Sequence, residues 1–404
     1  MKRDLVVFYI YRIVSRLYFH LPVLFFHFYR VDMGLGRIIV LLAVYGLITT
    51  VTANLSSRLH HRLSLKQMVA LGEILKAIGL ALVILGTRIG GTEFWTVMAG
   101  QVIGGTGFSL AISADGSLLR TITQASGNEL FNQIQSRSQS RMFIATLVAG
   151  CVGSILYDYE AHWPFYASLG ATIAASAAIL FIKAEEAPVV AGAMAKTDGL
   201  AAIGLDGSQR FWMNFYSISR AYTLGPFVGF LPFYFIQLQV DPFLFGSVLG
   251  LFSVGAFLAA LYANTFLKYF GLPALMVATV ASMLGSMLLF GFSEWLSVRG
   301  IDYFVTGLVA VALLGVGSGG VRPLTMANIN LGRLKAEHRP RVLSRMERNF
   351  GVFNGVLLAA GGALLERNGF SAVMLCLALS YLSMMALLQV SRKQETEEWM
   401  SSRP

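Results

Sequence analysis

Apolar runs long enough to cross a lipid bilayer recur from one end of this 404-residue chain to the other. A helix rises about 1.5 Å per residue, so about 20 residues cross roughly 30 Å of hydrocarbon. Twelve such segments can be marked. They lie near 5–29, 36–57, 66–87, 93–118, 139–158 and 163–183, then 211–238, 243–267, 273–294, 302–328, 342–365 and 370–391. Only 13% of residues are charged, against about 25% in a soluble domain. A transmembrane β-barrel would instead alternate apolar and polar residues in segments of about ten. The expected class is all-α: a polytopic membrane protein with twelve transmembrane helices. Its first segment follows a basic Met-Lys-Arg-Asp start but is long and has no small-residue cleavage site, so it is expected to stay as a helix.

The segments fall into two sets of six. The pattern S-R-x-Y-x-x-x-P occurs at Ser15, Arg16, Tyr18 and Pro22 and again at Ser219, Arg220, Tyr222 and Pro226, 204 positions later. R-x-x-S-R-M occurs at Arg137–Met142 and at Arg341–Met346, at the same offset of 204. Two matches at one offset indicate internal duplication. The expected organisation is a six-helix bundle over 1–183, a cytoplasmic linker over 184–210, a second bundle over 211–392 and a polar, frayed tail over 393–404.

The net charge of +10 needs no nucleic-acid partner. With both termini in the cytoplasm, nineteen Lys and Arg fall on the inner side and five on the outer, as the positive-inside rule requires. Thr121–Gln135 mixes polar and apolar residues and is expected to form a short surface helix. Gly100, Gly104, Gly105 and Gly107, like Gly315, Gly317, Gly319 and Gly320, are placed for close helix contacts. Cys151 and Cys376 lie in apolar segments and are expected to serve in helix packing, with no disulfide or metal spacing.

Twelve spans, a six-plus-six repeat, a long middle loop and cytoplasmic termini together resemble the major facilitator superfamily of secondary transporters. Ala53-Asn-Leu-Ser-Ser-Arg-Leu-His-His-Arg62 is similar to the superfamily's G-x-L-x-D-R-x-G-R-R loop, with Arg58 and Arg62 matching and Ala53, Ser57 and His60 replacing glycine, aspartate and glycine. Ala263-Asn264 opens a matching loop in the second half. Ser113-Ala-Asp-Gly-Ser-Leu-Leu-Arg120 is similar to the S-G-x-D-x-x-L-L stretch of a bacterial subset, with Asp115 on the acidic position. Gly150-Cys-Val-Gly153-Ser lacks the proline of the antiporter motif, which weakens a drug–proton antiporter assignment. The resemblance implies two bundles around a central cavity lined by the first, fourth, seventh and tenth helices. It also implies a bacterial cytoplasmic membrane, a small-molecule substrate, the lipid bilayer as surroundings, protons as a candidate coupling ion, and a monomer without a cofactor.

An ionisable group inside a span costs at least about 2.5 kcal/mol, so each needs a partner or an aqueous face. Arg16 and Arg220 lie near mid-depth, six residues before a proline, at equivalent places in the two copies. Two guanidiniums on opposite walls would form a fork for a carboxylate or phosphate; some organic-phosphate antiporters of the superfamily use such a pair. The alternative is that each is held by a carboxylate such as Asp115 or Glu73. Arg322, Tyr18 and Tyr222 complete the expected substrate-binding set, and Tyr9, Phe19, Tyr216 and Phe227 accompany it. His20, four residues after Arg16, Asp115 and Glu73 are the candidate proton carriers. The bland readings are a packing role for His20, a gating pair for Asp115 and mutual neutralisation of Glu73 and Lys76. Arg12 is close enough to its helix start to snorkel. Arg58, Arg62, Arg120, Arg141, Arg345, Glu347 and Arg348 are expected in gating or structural ion pairs.

The chain has no G-x-x-x-x-G-K-[S/T], H-E-x-x-H, C-x-x-C or G-x-S-x-G sequence, so neither an ATP-driven engine nor an enzyme is expected. The expectation is a secondary transporter for an anionic or amphipathic organic solute. The rivals are proton-coupled efflux of cationic or neutral compounds and a transport-inactive membrane scaffold.

Overall fold

A computed structural model describes residues 2–59, 63–88, 93–123, 127–183, 205–329 and 339–401. Its helices, in order, are α1 (Lys2–Val14), α2 (Leu24–Arg30), α3 (Leu35–Leu59), α4 (Leu65–Arg88), α5 (Phe94–Thr123), α6 (Gly127–Tyr159) and α7 (Trp163–Leu180). They continue with α8 (Gly207–Gly229), α9 (Leu231–Gln237), α10 (Pro242–Gly291), α11 (Ser293–Val298), α12 (Tyr303–Asn328) and α13 (Arg339–Ser401). Among the described residues there is no strand, and nine helices are long and apolar enough to cross a membrane. The last of them, Arg345–Arg392, runs for 48 residues. That is twice a single crossing, and it divides at Gly369, whose φ of 80° no ordinary helix contains. Gly271, also at φ 80°, divides α10 in the same way.

Contacts group Met1–Val190 with Leu231–Ser253 as one unit, and Ala191–Phe230 with Val254–Pro404 as the other. In the first unit, Gly72, Gly79 and Gly86 sit where a Cβ would strike Ala111, Gly100 and Val97 of α5. Side chains gain little by leaving lipid for protein, so close backbone approach of this kind holds membrane helices together. Phe8, Met68, Leu110, Leu118 and Ile179 fill the space among α1, α4, α5 and α7. Exposed apolar residues such as Val51, Leu85, Ile173 and Leu180 present the outward face that lipid requires. Cys376 is exposed and Cys151 is half-buried.

Two boundaries differ from the sequence reading. α8 starts at Gly207 because Asp206 caps it: its carboxylate accepts from the Gln209 amide at 2.7 Å, and the Gln209 side chain accepts from the Asp206 amide at 3.1 Å. The last four residues of the expected linker are therefore helical. At the other end α13 continues to Ser401, so the tail is not frayed through Ser401. Part of Thr121–Gln135 belongs to the ends of α5 and α6 rather than to a separate surface helix.

The larger difference is in the repeat itself. In the first copy the helix stops, and Ser15–Val23 is non-helical between α1 and α2. In the second copy α8 runs through Ser219, Arg220 and Pro226 to Gly229 before α9 begins. Proline removes a backbone donor in both copies, so the cause lies with the neighbours. A Cβ on Gly153 of α6 would collide with the Phe19 carbonyl, so glycine there makes room for irregular backbone. The His20 amide, freed by the break, donates to Ser168 Oγ of α7 at 3.2 Å, because backbone groups at this depth need protein partners. At the offset of 204, Gly153 corresponds to Leu357 and Leu21 to Gly225. Leu357 of α13 packs where a Cβ on Gly225 would sit, so α8 is pressed against a large side chain and stays regular.

Candidate functional site

The break places Arg16 on irregular backbone, half-buried, with its Nη1 donating to the Tyr18 hydroxyl at 3.2 Å. Its guanidinium lies 5.6 Å from the Phe108 ring and 6.0 Å from the Tyr18 ring, within cation–π range. Lys76 Nζ is 5.2 Å from the same Tyr18 ring. Among the described residues, no carboxylate lies within ion-pair distance of Arg16. His20 Nδ1 is 2.8 Å from Ser168 Oγ and its ring packs on Phe165. One short stretch thus brings together a guanidinium without a direct ion pair, two aromatic faces and an imidazole.

The acids named from sequence are committed to other partners. Arg12 does not snorkel; it is 4% exposed, and donates to Asp115 Oδ2 at 3.1 Å and to Ser138 Oγ at 2.6 Å. Its reach along α1 mattered less than the acceptors supplied by α5 and α6. Glu73 and Lys76 pair at 2.7 Å on one face of α4, both buried. Removing one partner of a buried pair typically costs about 3–5 kcal/mol. Asp115→Asn is therefore expected to lower the thermal stability of detergent-solubilised protein more than the joint change Arg12→Met with Asp115→Leu. Equal stability of the single variant and the wild type would contradict this.

In the second unit Arg220 is neutralised. Its Nη1 meets Glu347 Oε1 at 2.6 Å and Oε2 at 2.5 Å. The Tyr216 hydroxyl donates to Glu347 at 2.9 Å and accepts from Arg220 at 2.7 Å. The guanidinium lies 4.3 Å from the Phe350 ring. Glu347, expected in an ion pair, holds the arginine of α8. Arg322 is exposed on α12 and acts electrostatically on both Tyr216 and Glu347. Tyr222 turns to α13 instead, donating to Ser380 Oγ at 2.8 Å and packing on Tyr381. The tyrosine that meets Arg220 is Tyr216.

Arg141 lies over the Tyr9 ring at 4.8 Å. The side chains of Arg58 and Arg120, and all of Arg62, fall outside the described residues. Sequence reading missed Phe108, Ser138, Ser168 and the Arg220–Glu347 pairing. One signal was present: the offset of 204 sends Glu347 to Phe143, so the first copy has no acid at the place that serves Arg220.

No family model matches the chain, and no curated protein matches it in sequence. Two solved structures are similar to it over nearly their whole length. A crystal structure of a point mutant of the nucleoside transporter NupG is 13% identical, covers 96% of this chain and 99% of its own, and has a TM-score of 0.76. A crystal structure of NupG itself is 15% identical, covers 97% and 99%, and has a TM-score of 0.69. At these identities the likeness speaks for the fold, and it agrees with the apolar helices and the repeat. The chain is an integral membrane protein with the polytopic all-α fold of these two structures.

Proposed function

We propose that the chain is a secondary transporter that moves a small amphipathic organic solute by alternating access, binding it at the Ser15–Val23 break. The observation that carries this reading is Arg16: a guanidinium on irregular backbone, beside Tyr18 and Phe108, with no carboxylate within ion-pair distance among the described residues. Discontinuous helices are where secondary transporters commonly place substrate groups. The ion pairs revise the expected charge of the solute. Arg12, Lys76 and Arg220 each have an acid, so a polyanion has less to gain than the sequence count of cations suggests. A ring with one acceptor or one negative charge fits best, stacked on an aromatic face and accepting from Arg16. Nucleosides meet that description, and the two similar structures are of a nucleoside transporter, so nucleosides come first in a panel.

The two halves as rocking bundles, cytoplasmic termini, a bacterial inner membrane and a monomeric state belong to the same proposal. His20, Asp115 and Glu73 remain the groups that would carry a coupling proton; Glu73 approaches Arg16 through Lys76 and Tyr18. A thermal-shift panel tests the solute class, since a ligand that binds the native state raises its stability. Neutral nucleosides and aromatic monoanions are expected to stabilise the purified protein, and aromatic cations and bisphosphates are not. Stabilisation by cations alone would favour the efflux reading. An inert panel, with persistent co-purification of a protein complex, would favour the scaffold.

A further inference from the structure

A buried and a half-buried imidazole meet where α2 approaches the connection between α6 and α7. His27 is 1% exposed, His162 stands just before the start of α7, and their ring centroids lie 5.2 Å apart with planes at 81°. Each ring is held by its Nδ1. His162 Nδ1 is 3.2 Å from Glu160 Oε1, and His27 Nδ1 is 3.4 Å from the Tyr157 hydroxyl. A carboxylate only accepts, so His162 carries its proton on Nδ1 and leaves Nε2 as a bare lone pair when neutral.

The Nε2 atoms of both rings are buried and have no hydrogen-bond partner. An unsatisfied buried polar atom costs about 1–3 kcal/mol, and edge-on ring packing accounts for the spacing of the rings but not for their idle nitrogens. Metal-ligating histidines have this form, with one nitrogen on the ion and the other held by a carboxylate or similar acceptor. A tetrahedral ion with bonds of about 2.0–2.1 Å to nitrogen keeps two ligating imidazole centroids about 5 Å apart, which matches the observed separation.

We propose that His27 and His162 bind a divalent transition-metal ion through Nε2, with Glu160 and Tyr157 as positioning residues. Among the described residues no group of three or more His, Cys, Asp or Glu could hold a metal, so water completes the coordination. The site is accordingly labile, takes Cu²⁺ more tightly than Zn²⁺, and ties α2 to the α6–α7 connection when filled. It does not depend on the transport reading.

The test uses the full chain purified without a histidine tag, titrated with Zn²⁺ by calorimetry and with Cu²⁺ by electron paramagnetic resonance. One ion per chain with coupling to two imidazole nitrogens is expected, and His162→Phe and His27→Phe should each abolish that signal. Glu160→Gln should weaken binding about 10- to 100-fold. His60→Ala with His61→Ala should leave it intact, which separates this pair from the other adjacent histidines. Should His27→Phe fail to fold, His162→Phe carries the test, because His162 lies in a loop. Unchanged binding in His162→Phe, loss only on changing His60 and His61, or no binding at all would overturn the proposal; the last result would leave a bridging water as the occupant of the two nitrogens.

Discussion

Replacing Arg16 by alanine is expected to abolish solute uptake by reconstituted protein while leaving its thermal stability close to that of the wild type. The two effects separate because of how Arg16 is held. Its described contacts are one hydroxyl and two ring faces, so its removal strands no carboxylate. The loss falls on the solute, for which a charge-assisted hydrogen bond is worth about 1.5–3 kcal/mol, or about 10- to 100-fold in affinity. Arg16→Lys should recover part of the activity, since the charge returns but the planar fork does not. Arg220→Ala behaves differently: it removes the ion-pair partner of Glu347, so stability should fall together with uptake. A stable Arg16→Ala protein that transports normally would remove Arg16 from the site.

The second large effect is expected at Gly153. Any side chain there meets the Phe19 carbonyl, which is backbone and cannot rotate away. Overpacking of this kind costs about 1–3 kcal/mol and sometimes more, so Gly153→Val should sharply lower the yield of folded protein in size-exclusion profiles. The second copy suggests its own rescue. There a leucine stands in place of Gly153 and a glycine in place of Leu21, and the helix is unbroken. Gly153→Leu combined with Leu21→Gly should recover folded protein relative to Gly153→Leu alone, yet remain inactive, because Arg16 would return to a regular helix. A well-folded Gly153→Val protein would show that the break does not need glycine at 153.

These two residues also show what could be read in the chain and what could not. The apolar segments and the duplication were legible, because hydropathy and a fixed offset are local properties of the sequence. The different fates of the two motif copies were not. Ser15–Pro22 and Ser219–Pro226 carry the same pattern, and what separates them stands more than a hundred residues away, at Gly153 and Leu357. The same holds for charge. Counting Arg220 as an open cation ignored Glu347, which reaches it from another helix, and letting Arg12 snorkel ignored Asp115 and Ser138. Comparing the two copies position by position would have exposed both asymmetries, since Glu347 answers to Phe143 and Leu357 to Gly153.

The central claim is that this chain moves a small amphipathic solute and binds it through Arg16. Uptake of labelled nucleosides and aromatic monoanions into proteoliposomes, measured side by side for the wild type and Arg16→Ala, tests it most directly. Saturable uptake of at least one of these solutes by the wild type is expected, with background counts for Arg16→Ala. Equal uptake by both proteins, or no flux of any solute by a correctly folded wild type, would contradict it.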